Sequence, residues 1–378
     1  MKTQIVVWQI AAWLCAVVLG AGAAHAGLPE TFQGLGDLTH AGLGSEARAV
    51  SGDGSVVIGS STTPAGQQAY YWTAATGMVG LATPTGQLWS WASGVSADGN
   101  WVVGYAGSSF GLAADWEGVR WNIATGAMDR FAVSGIGVWA KGISADGAVV
   151  VGTAGDEAFR WTSAGGLVGL GTLYESLPVS RSNAEAVSAN GQVIVGDSVG
   201  IEGIGSYRDA FRWTEAEGMS GLGTFSAVAA STNGSVIVGT ISPGAASDWE
   251  AYRWTEAGGI VPLGTFGPGH DSYAQGVSGD GSRVVGYFED AGDGPQHAYF
   301  WDAEHGMRSV QDTLEGLGFD LTGWTLTQAW GVSNEGPTIV GRGMHNGVEE
   351  AFYAVLPEPA TLGLLALGGI AALLRRRG

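Results

Sequence analysis

Seven copies of one short phrase divide the chain into repeats and limit its possible folds more than any other feature. Each copy reads Ala-x-(Ala/Gly)-(Val/Ile/Ala)-Ser and ends at Ser51, Ser96, Ser144, Ser188, Ser231, Ser278 or Ser333. A turn follows each serine, and its glycines are Gly54, Gly99, Gly147, Gly191, Gly234, Gly281 and Gly336, which lie 45, 48, 44, 43, 47 and 55 residues apart. Self-similarity at such a period indicates a repeat architecture in which each unit packs on its neighbours.

Each repeat has the pattern of four short antiparallel strands. Asp-Gly or Asn-Gly between two extended runs is a strong hairpin signal, because the tight turn needs positive φ. This turn joins the serine phrase, the first strand, to a β-branched second strand such as Val149–Gly152. A third strand such as Ala158–Trp161 and a fourth such as Gly166–Leu170 complete the unit. Four strands in about 45 residues predict an all-β, seven-bladed β-propeller, with an open β-solenoid as the alternative.

The two ends of the repeat region favour a closed ring. The seventh repeat stops after its third strand, near Tyr353, and the segment Phe32–Leu38 at the other end of the chain resembles the fourth-strand segment Val168–Leu173. An N-terminal strand that completes the last blade would leave no open sheet edge. A solenoid would gain nothing from this arrangement.

Two further patterns carry structural predictions. Because the third-strand tryptophans recur at one position, we expect them in the core between blades; they are Trp72, Trp121, Trp161, Trp213, Trp254 and Trp301. Val310, Leu314 and Leu317 have helical spacing, which predicts a short surface helix before the seventh blade.

The N-terminus is typical of a secretory signal peptide. Lys2 precedes an apolar stretch from Ile5 to Val18, and small residues end at Ala24-His25-Ala26. A basic start, an apolar core and an A-x-A site together predict export with cleavage after residue 26, and a retained membrane anchor is the alternative. Cleavage would remove Cys15, the only cysteine, so disulfides and thiolate chemistry are excluded from the mature protein.

The C-terminus carries three ordered features. Pro357, Glu358 and Pro359 come first, an apolar run from Ala360 to Leu374 follows, and Arg375, Arg376 and Arg377 end it. Fifteen helical residues span about 22 Å, short of a hydrocarbon core of about 30 Å. Arginines can reach the headgroups, which favours a C-terminal membrane helix over a buried core helix.

This tail resembles the PEP-CTERM protein-sorting signal, and the repeat unit resembles HAF-type extracellular repeats. The first resemblance implies an exported protein in an exopolysaccharide-producing Gram-negative bacterium, cut near Pro-Glu-Pro by a membrane enzyme, an exosortase. The expected domains are a signal peptide (1–26), a propeller (27–355) and a sorting tail (356–378). The expected location is the inner membrane before cleavage, and the cell surface or extracellular matrix after it.

Charge limits the partners of the exported body. Removal of both ends leaves 12 basic and 34 acidic side chains, a net charge of −22. A chain this acidic is repelled by nucleic acids and by anionic lipid surfaces. The composition, with 45% hydrophobic residues and 16 tryptophans, is that of a folded protein.

Candidate binding residues fall in the long connections, where function usually lies on a rigid scaffold. A set of tryptophans outside the third-strand register supplies the candidates, namely Trp89, Trp116, Trp139 and Trp249, and exposed aromatic rings beside carboxylates suit sugar binding. Packing within the loops is the structural alternative. Acidic residues are concentrated in the connections between strands two and three. A solvated acidic rim is the main interpretation, and calcium binding is the weaker alternative because no EF-hand spacing is present. The residues are Asp115, Glu117, Asp156, Glu157, Glu202, Asp209, Asp248, Glu250, Glu289, Asp290, Asp293, Glu349 and Glu350.

No catalytic motif is present. The histidines of the exported body lie singly in different loops, and no nucleophile elbow or phosphate-binding loop occurs. We therefore expect a non-enzymatic surface or matrix protein without a required cofactor or catalytic residue, which binds exopolysaccharide or a surface protein. A secreted glycan-active enzyme with paired carboxylates at the propeller mouth and a purely structural envelope component are the alternatives.

Overall fold

The computed structural model describes residues 31–108, 115–203, 205–242, 249–292, 294–334 and 338–356. Residues 31–356 form one compact unit. Its strands make seven antiparallel sheets of four strands each, and the first strands of successive sheets contact one another in a ring. The prediction of a seven-bladed β-propeller is confirmed, and the solenoid alternative is wrong.

The strands follow the four-strand unit in chain order. Blade 1 contains β2 (Ser45–Val50), β3 (Val56–Thr63), β4 (Gly66–Thr73) and β5 (Gly77–Gly80); blade 2 contains β6 (Trp89–Val95), β7 (Trp101–Gly107), β8 (Glu117–Asn122) and β9 (Met128–Phe131); blade 3 contains β10 (Val138–Ile143), β11 (Val149–Ala154), β12 (Glu157–Thr162) and β13 (Gly166–Gly169); blade 4 contains β14 (Val179–Val187), β15 (Ile194–Glu202), β16 (Gly205–Thr214) and β17 (Gly218–Gly221). Blade 5 contains β18 (Ser226–Ala230), β19 (Val236–Ile241), β20 (Glu250–Thr255) and β21 (Gly259–Pro262); blade 6 contains β22 (Asp271–Val277), β23 (Arg283–Glu289), β24 (Gln296–Asp302) and β25 (Gly306–Ser309); blade 7 contains β26 (Trp324–Val332), β27 (Thr338–His345), β28 (Val348–Val355) and β1 (Thr31–Gly34).

The last blade is completed by the first strand of the chain. β1 pairs antiparallel with β28, and Thr31 lies opposite Val355. Glu350, in β28, accepts a hydrogen bond from the amide of Gly36 just beyond β1, at 2.9 Å. The prediction that an N-terminal strand closes the ring is confirmed.

Every innermost strand carries a β-bulge at the same place. The extra residue sits between the alanine and the next small residue of the serine phrase; these bulge residues are Arg48, Ser93, Lys141, Glu185, Val228, Gln275 and Trp330. Opposite the bulge, the second strand always has glycine. A Cβ there would lie 1.8–2.0 Å from the carbonyl oxygen of the facing strand, at Gly59, Gly104, Gly152, Gly196, Gly239, Gly286 and Gly341. The bulge therefore explains why each β-branched run ends in glycine.

The serine phrase also builds its turn. In blade 3, Ser144 donates its hydroxyl to Asp146 at 2.6 Å and accepts the amide of Val149 at 2.9 Å, while Gly147 has φ of +73°. Hydrogen bonds from the Ser144 hydroxyl and the Ala148 amide lower the pKa of Asp146. The serine hydroxyl makes the same two kinds of bond in the first six repeats. Each repeat therefore fixes the register of its inner hairpin locally.

The hydrophobic core lies between the blades. Among the described residues there are seven buried clusters, and each joins two neighbouring blades. Trp72 of blade 1 packs against Tyr353 of blade 7, with ring centroids 5.3 Å apart, and Trp161 of blade 3 stacks on Phe131 of blade 2 at 5.0 Å. The prediction that the third-strand tryptophans pack between blades is confirmed, although only Trp72 and Trp121 of this set are buried and the others are half-buried.

The predicted helix forms as α1 (Val310–Gly316). Ser309 caps its N-terminus by accepting the amide of Asp312, and Val310 and Leu314 are buried in the cluster between blades 6 and 7. It is therefore a surface helix whose apolar side contributes to the core.

The predicted signal peptide (1–26) and the sorting tail from Pro357 onward lie outside the described residues. The predicted membrane helix and Arg375, Arg376 and Arg377 belong to that tail. Within residues 31–356, none of the described helices is long and apolar enough to cross a membrane.

Candidate functional site: an aromatic cluster on blade 2

Strand direction gives the propeller two different faces. The turns between strands one and two, and between three and four, share one face, which we call the tight-turn face. The connections between strands two and three and between blades share the other, the long-connection face. Two cavities open there, one on each side of an aromatic group in blade 2.

That group, the blade 2 aromatic cluster, consists of Trp89, Trp91, Tyr105 and Trp116. Trp91 is central: its ring centroid lies 5.3 Å from that of Trp116, 5.6 Å from that of Tyr105 and 6.1 Å from that of Trp89. Trp91 and Tyr105 face each other across the β6–β7 pair. Trp91, Tyr105 and Trp89 are half-buried, whereas Trp116 is only 8% exposed.

Glycines make room for the cluster. Cβ atoms at Gly66 and Gly107 would lie 2.4 Å from Trp89 and 2.7 Å from Trp116, respectively. Gly66, with φ of +130°, is also in a backbone conformation that other residues rarely adopt. Both indoles therefore rest directly on backbone.

The larger cavity, of about 350 Å³, lies between blades 7, 1 and 2. Trp91, Glu46 and Glu349 line it, together with the polar residues Ser60 and Thr62 of β3 and Gln67 of β4. The remaining lining residues are Leu43, Gly44 and Ser45. Gln67 donates its amide nitrogen to Thr62 at 2.9 Å, and its buried Oε1 has no hydrogen-bond partner among the described residues. The cavity falls within the size range of small-molecule sites.

The smaller cavity, of about 210 Å³, lies on the other side of Trp116. Asp115, Trp116 and Glu117 line it together with Gln87, Ser108, Ala132, Val133 and Ile136. Glu117 is 6% exposed and forms a two-pronged ion pair with Arg130, at 2.8 and 3.0 Å. Gln87 donates to Glu117 at 3.3 Å, and its own buried Oε1 has no partner within the described residues.

The structure brings together only two of the four candidate tryptophans. Trp89 and Trp116 belong to the blade 2 aromatic cluster. Trp139 lies opposite Thr153 in blade 3, and Trp249 packs edge-on against Phe225 at 4.5 Å, with its amide bonded to Asp271. The interpretation of these residues as a loop set needs correction, since Trp89 and Trp139 lie within strands β6 and β10.

Sequence reasoning missed Trp91 and Tyr105. Trp91 occupies the position before the alanine of the serine phrase, where the other repeats have Glu46, Trp139, Asn183, Ser226, Tyr273 and Gln328. The available signal was this variation at one register of an otherwise regular repeat. A position that varies in this way is not needed for the repeat framework, so its residue is set by local packing or by function.

Several acids expected in a rim have a structural role instead. They lie in the third strand of their blades, and each accepts an amide hydrogen bond from the turn that follows the fourth strand. The pairs are Glu157 with Gly171, Asp209 with Gly223, Glu250 with Gly264 and Glu350 with Gly36, at 2.8–2.9 Å. The prediction that these four residues lie in loops is therefore wrong. They lie in strands, and their hydrogen bonds hold the outer strands of the blades together.

Two histidines, His270 just before β22 and His297 within β24, share one carboxylate, so the placement of His297 in a loop was predicted wrongly. His270 and His297 lie 3.4 and 3.3 Å from the two oxygens of Asp290 in blade 6. In the described part of the chain, no group of three or more His, Cys, Asp or Glu side chains has an arrangement that could hold a metal ion. Calcium binding stays an untested expectation.

The comparisons with known proteins identify the tail. Residues 355–377 match the model of the PEP-CTERM protein-sorting motif. This motif implies export, membrane-associated sorting and processing by an exosortase-type enzyme. The match begins within the propeller, since Val355 ends β28 and Leu356 is 3% exposed. The likeness of the repeats to HAF-type units stays a prediction.

Similar solved structures support the fold. An oligogalacturonate lyase from Vibrio parahaemolyticus is 11% identical, covers 88% of this chain and 98% of its own, and has a TM-score of 0.56. A chain from a study of two prolyl endopeptidases is 11% identical, with a TM-score of 0.55. The match covers 84% of this chain and 51% of the endopeptidase chain. TolB from Acinetobacter baumannii is 12% identical, with a TM-score of 0.43. The match covers 83% of this chain and 64% of TolB, so this chain spans less than two thirds of TolB's length. No curated protein matches. At these identities, the likeness extends to the β-propeller fold alone.

Proposed function

We propose that this chain is an exported, non-enzymatic surface or matrix protein whose propeller binds a glycan at the blade 2 aromatic cluster. The sorting motif brings the protein to an exosortase-type enzyme at the membrane, and the mature propeller acts at the cell surface or in the extracellular matrix. Exopolysaccharide is the partner available at that location.

The observation that carries the proposal is the position of aromatic rings between two polar cavities. Trp91 lines the larger cavity, Trp116 lines the smaller one, and their ring centroids are 5.3 Å apart. Indole faces offer flat apolar surface for the carbon-bound hydrogens of a pyranose. Carboxylates, amides and hydroxyls on either side can accept hydrogen bonds from sugar hydroxyls. This combination of a mostly flat apolar wall with a few polar groups is typical of a ligand site.

Substitution of the central ring tests this proposal. We expect Trp91→Ala to abolish or strongly weaken binding to the native exopolysaccharide and to glycan arrays, because it removes the ring that contacts the other three. Tyr207→Ala is the matched control, since Tyr207 is 51% exposed in blade 4 and lies outside the cluster. Trp116→Ala is less informative because Trp116 is buried. Equal binding by wild type and Trp91→Ala would contradict the glycan site.

Fractionation tests the sorting step. In a strain that lacks the exosortase-type enzyme, the full-length chain should accumulate in the inner-membrane fraction. In the wild type, a shorter chain should appear at the surface or in the matrix. Full-length protein retained in the wild-type inner membrane would overturn the processing proposal.

A glycan-active enzyme is the second candidate, since Asp115 and Glu117 line one cavity. Glycosidic hydrolysis needs two carboxyl groups at either side of the bond. Both oxygens of Glu117 are already engaged by Arg130, which argues against a free catalytic role. Release of new reducing ends from the exopolysaccharide, abolished by Asp115→Asn, would replace the binding proposal with an enzymatic one.

A further inference from the structure

We propose that the ligand of the blade 2 aromatic cluster is an amine-bearing, cationic glycan, such as a deacetylated amino-sugar polymer. The inference rests on the proposed glycan binding and adds the chemical class. It follows from the charges and hydrogen-bonding groups on the walls of the two cavities.

The described residues that line the cavities include four carboxylates and no lysine or arginine. Glu46 and Glu349 face the larger cavity, and Asp115 and Glu117 face the smaller one. A uronate or sulfated glycan would bring its anions against these groups, and like charges placed together at an interface cost several kcal/mol. The net charge of −22 in the exported body adds to this repulsion at longer range.

The arginines near these carboxylates are already committed. Arg342 of blade 7 lies 2.9 Å from Glu349 and 3.8 Å from Glu46, and it donates to Gln328 at 2.9 Å. Arg130 grips Glu117. Arg48 also lies 3.3 Å from Glu46. These arginines offset part of the wall charge from outside the cavity linings, so the charged side chains that line the cavities themselves are all acidic.

Hydrogen-bonding capacity points to the same ligand. The nitrogens of Gln67 and Gln87 donate to neighbouring groups, which assigns each Oε1 as an acceptor, and neither acceptor has a partner among the described residues. Buried polar atoms are normally paired, so an unpartnered acceptor at a cavity wall marks a place for a donor. An ammonium group carries three donors and no acceptor.

The aromatic rings add a third contribution. An ammonium over the face of tryptophan or tyrosine is attracted by the ring quadrupole. Trp91, with Tyr105 stacked on its ring, lines the same wall as Glu46 and Glu349. A neutral sugar would gain the stacking alone, whereas an amino sugar would gain both the stacking and the charge.

Three hexasaccharides separate these contributions. Titration calorimetry of the purified full-length protein at mildly acidic pH compares a glucosamine hexamer, its N-acetylated counterpart and a galacturonate hexamer. We expect the glucosamine hexamer to bind about tenfold more tightly than the N-acetylated one, and the galacturonate hexamer not to bind. The preference should shrink at about 0.5 M salt, where charges are screened within a few ångströms.

A charge variant makes the assignment specific. Glu349→Gln should weaken the glucosamine hexamer about two- to fivefold more than the N-acetylated hexamer, because the amide keeps an acceptor oxygen for sugar hydroxyls but loses the charge. Glu256→Gln, an exposed residue on the tight-turn face, removes the same charge and should change neither affinity. If the N-acetylated hexamer binds through Trp91 but the amines add nothing, or if galacturonate binds as well, the cationic class is wrong and the glycan site stands. If no hexamer binds, the proposed function fails with it.

Discussion

Glu350 accepts a hydrogen bond from the amide of Gly36, a residue 314 positions away in the chain. The same carboxylate lies 2.7 Å from His345, whose ring stacks on Trp324 at 4.4 Å. In blades 3, 4 and 5, the equivalent acid bonds to the turn after the fourth strand of its own repeat. In the last blade the bond holds the beginning of the chain to its end, so local repeat chemistry has been reused to close the ring.

Weakening this closure should open one blade before the others. Phe32 packs edge-on against Trp324 at 5.3 Å, and Phe32→Ala should lower the free energy of unfolding by about 1–3 kcal/mol. Hydrogen exchange should rise in β1 and β28, while β12 of blade 3 stays protected, because proteins open locally in cooperative units. Val168→Ala, an exposed fourth-strand change in blade 3, is the control and should leave β28 unaffected. Uniform acceleration in all blades would contradict local closure.

The glycines opposite the bulges should tolerate no side chain. In Gly341→Ala, the new Cβ would meet the carbonyl oxygen of Gln328 at 1.9 Å. Relief requires backbone movement at the inner hairpin of blade 7, so we expect a loss of about 1–3 kcal/mol in thermal or denaturant unfolding. At Gly316, the end of α1, a Cβ would meet nothing within 4 Å. Gly316→Ala should therefore be neutral or slightly stabilising, and equal effects of the two changes would refute the steric explanation.

Asp37 should make stability depend on pH. Burial alone raises the pKa of this carboxyl, but hydrogen bonds from the Thr39 hydroxyl and from the amides of Thr39, Gly42 and Ala41 lower it to about 2. The unfolded value is about 3.9. The stabilisation is therefore fully present above pH 3.9 and is lost as the pH falls through 2.

The matching variant is Asp37→Asn. It should cost about 1–3 kcal/mol at neutral pH, because it weakens hydrogen bonds to a charged acceptor, and the difference from wild type should disappear toward pH 2. Urea unfolding at several pH values measures it. Glu215→Gln, an exposed change, should show no such convergence. A constant difference at all pH values would mean that the carboxylate charge is not responsible.

The folded body should end at Leu356. Val355 pairs with both Thr31 and Thr338, and Leu356 is buried in the cluster between blades 6 and 7. A chain that ends after Leu356 should unfold at the same temperature as one with its tail, whereas a chain that ends after Ala354 should be less stable by about 2–4 kcal/mol. Scanning calorimetry of the three chains measures their unfolding temperatures. Equal stability would place the boundary earlier than the packing indicates.

The repeat chemistry was readable from sequence, and the candidate site was less so. Ser144, Asp146 and Gly147 act within one turn, so their residue types predict their geometry. Glu157 acts on a turn 14 residues later, and its carboxylate was taken for part of a rim. Trp91 becomes significant only when Trp116, from a different connection, lies beside it. His270 and His297 meet on Asp290 for the same reason, through proximity that no spacing in the sequence records.

The pairing of β1 with β28 also sets an order of events during export. β1 enters the extracytoplasmic space first, yet its only partner strand is among the last parts of the propeller to arrive. Six blades can assemble from contiguous sequence, while the seventh must wait for both ends, and such long-range pairing is slow. The seventh blade is therefore completed only when β28 is available, and the segment that matches the sorting motif begins where β28 ends.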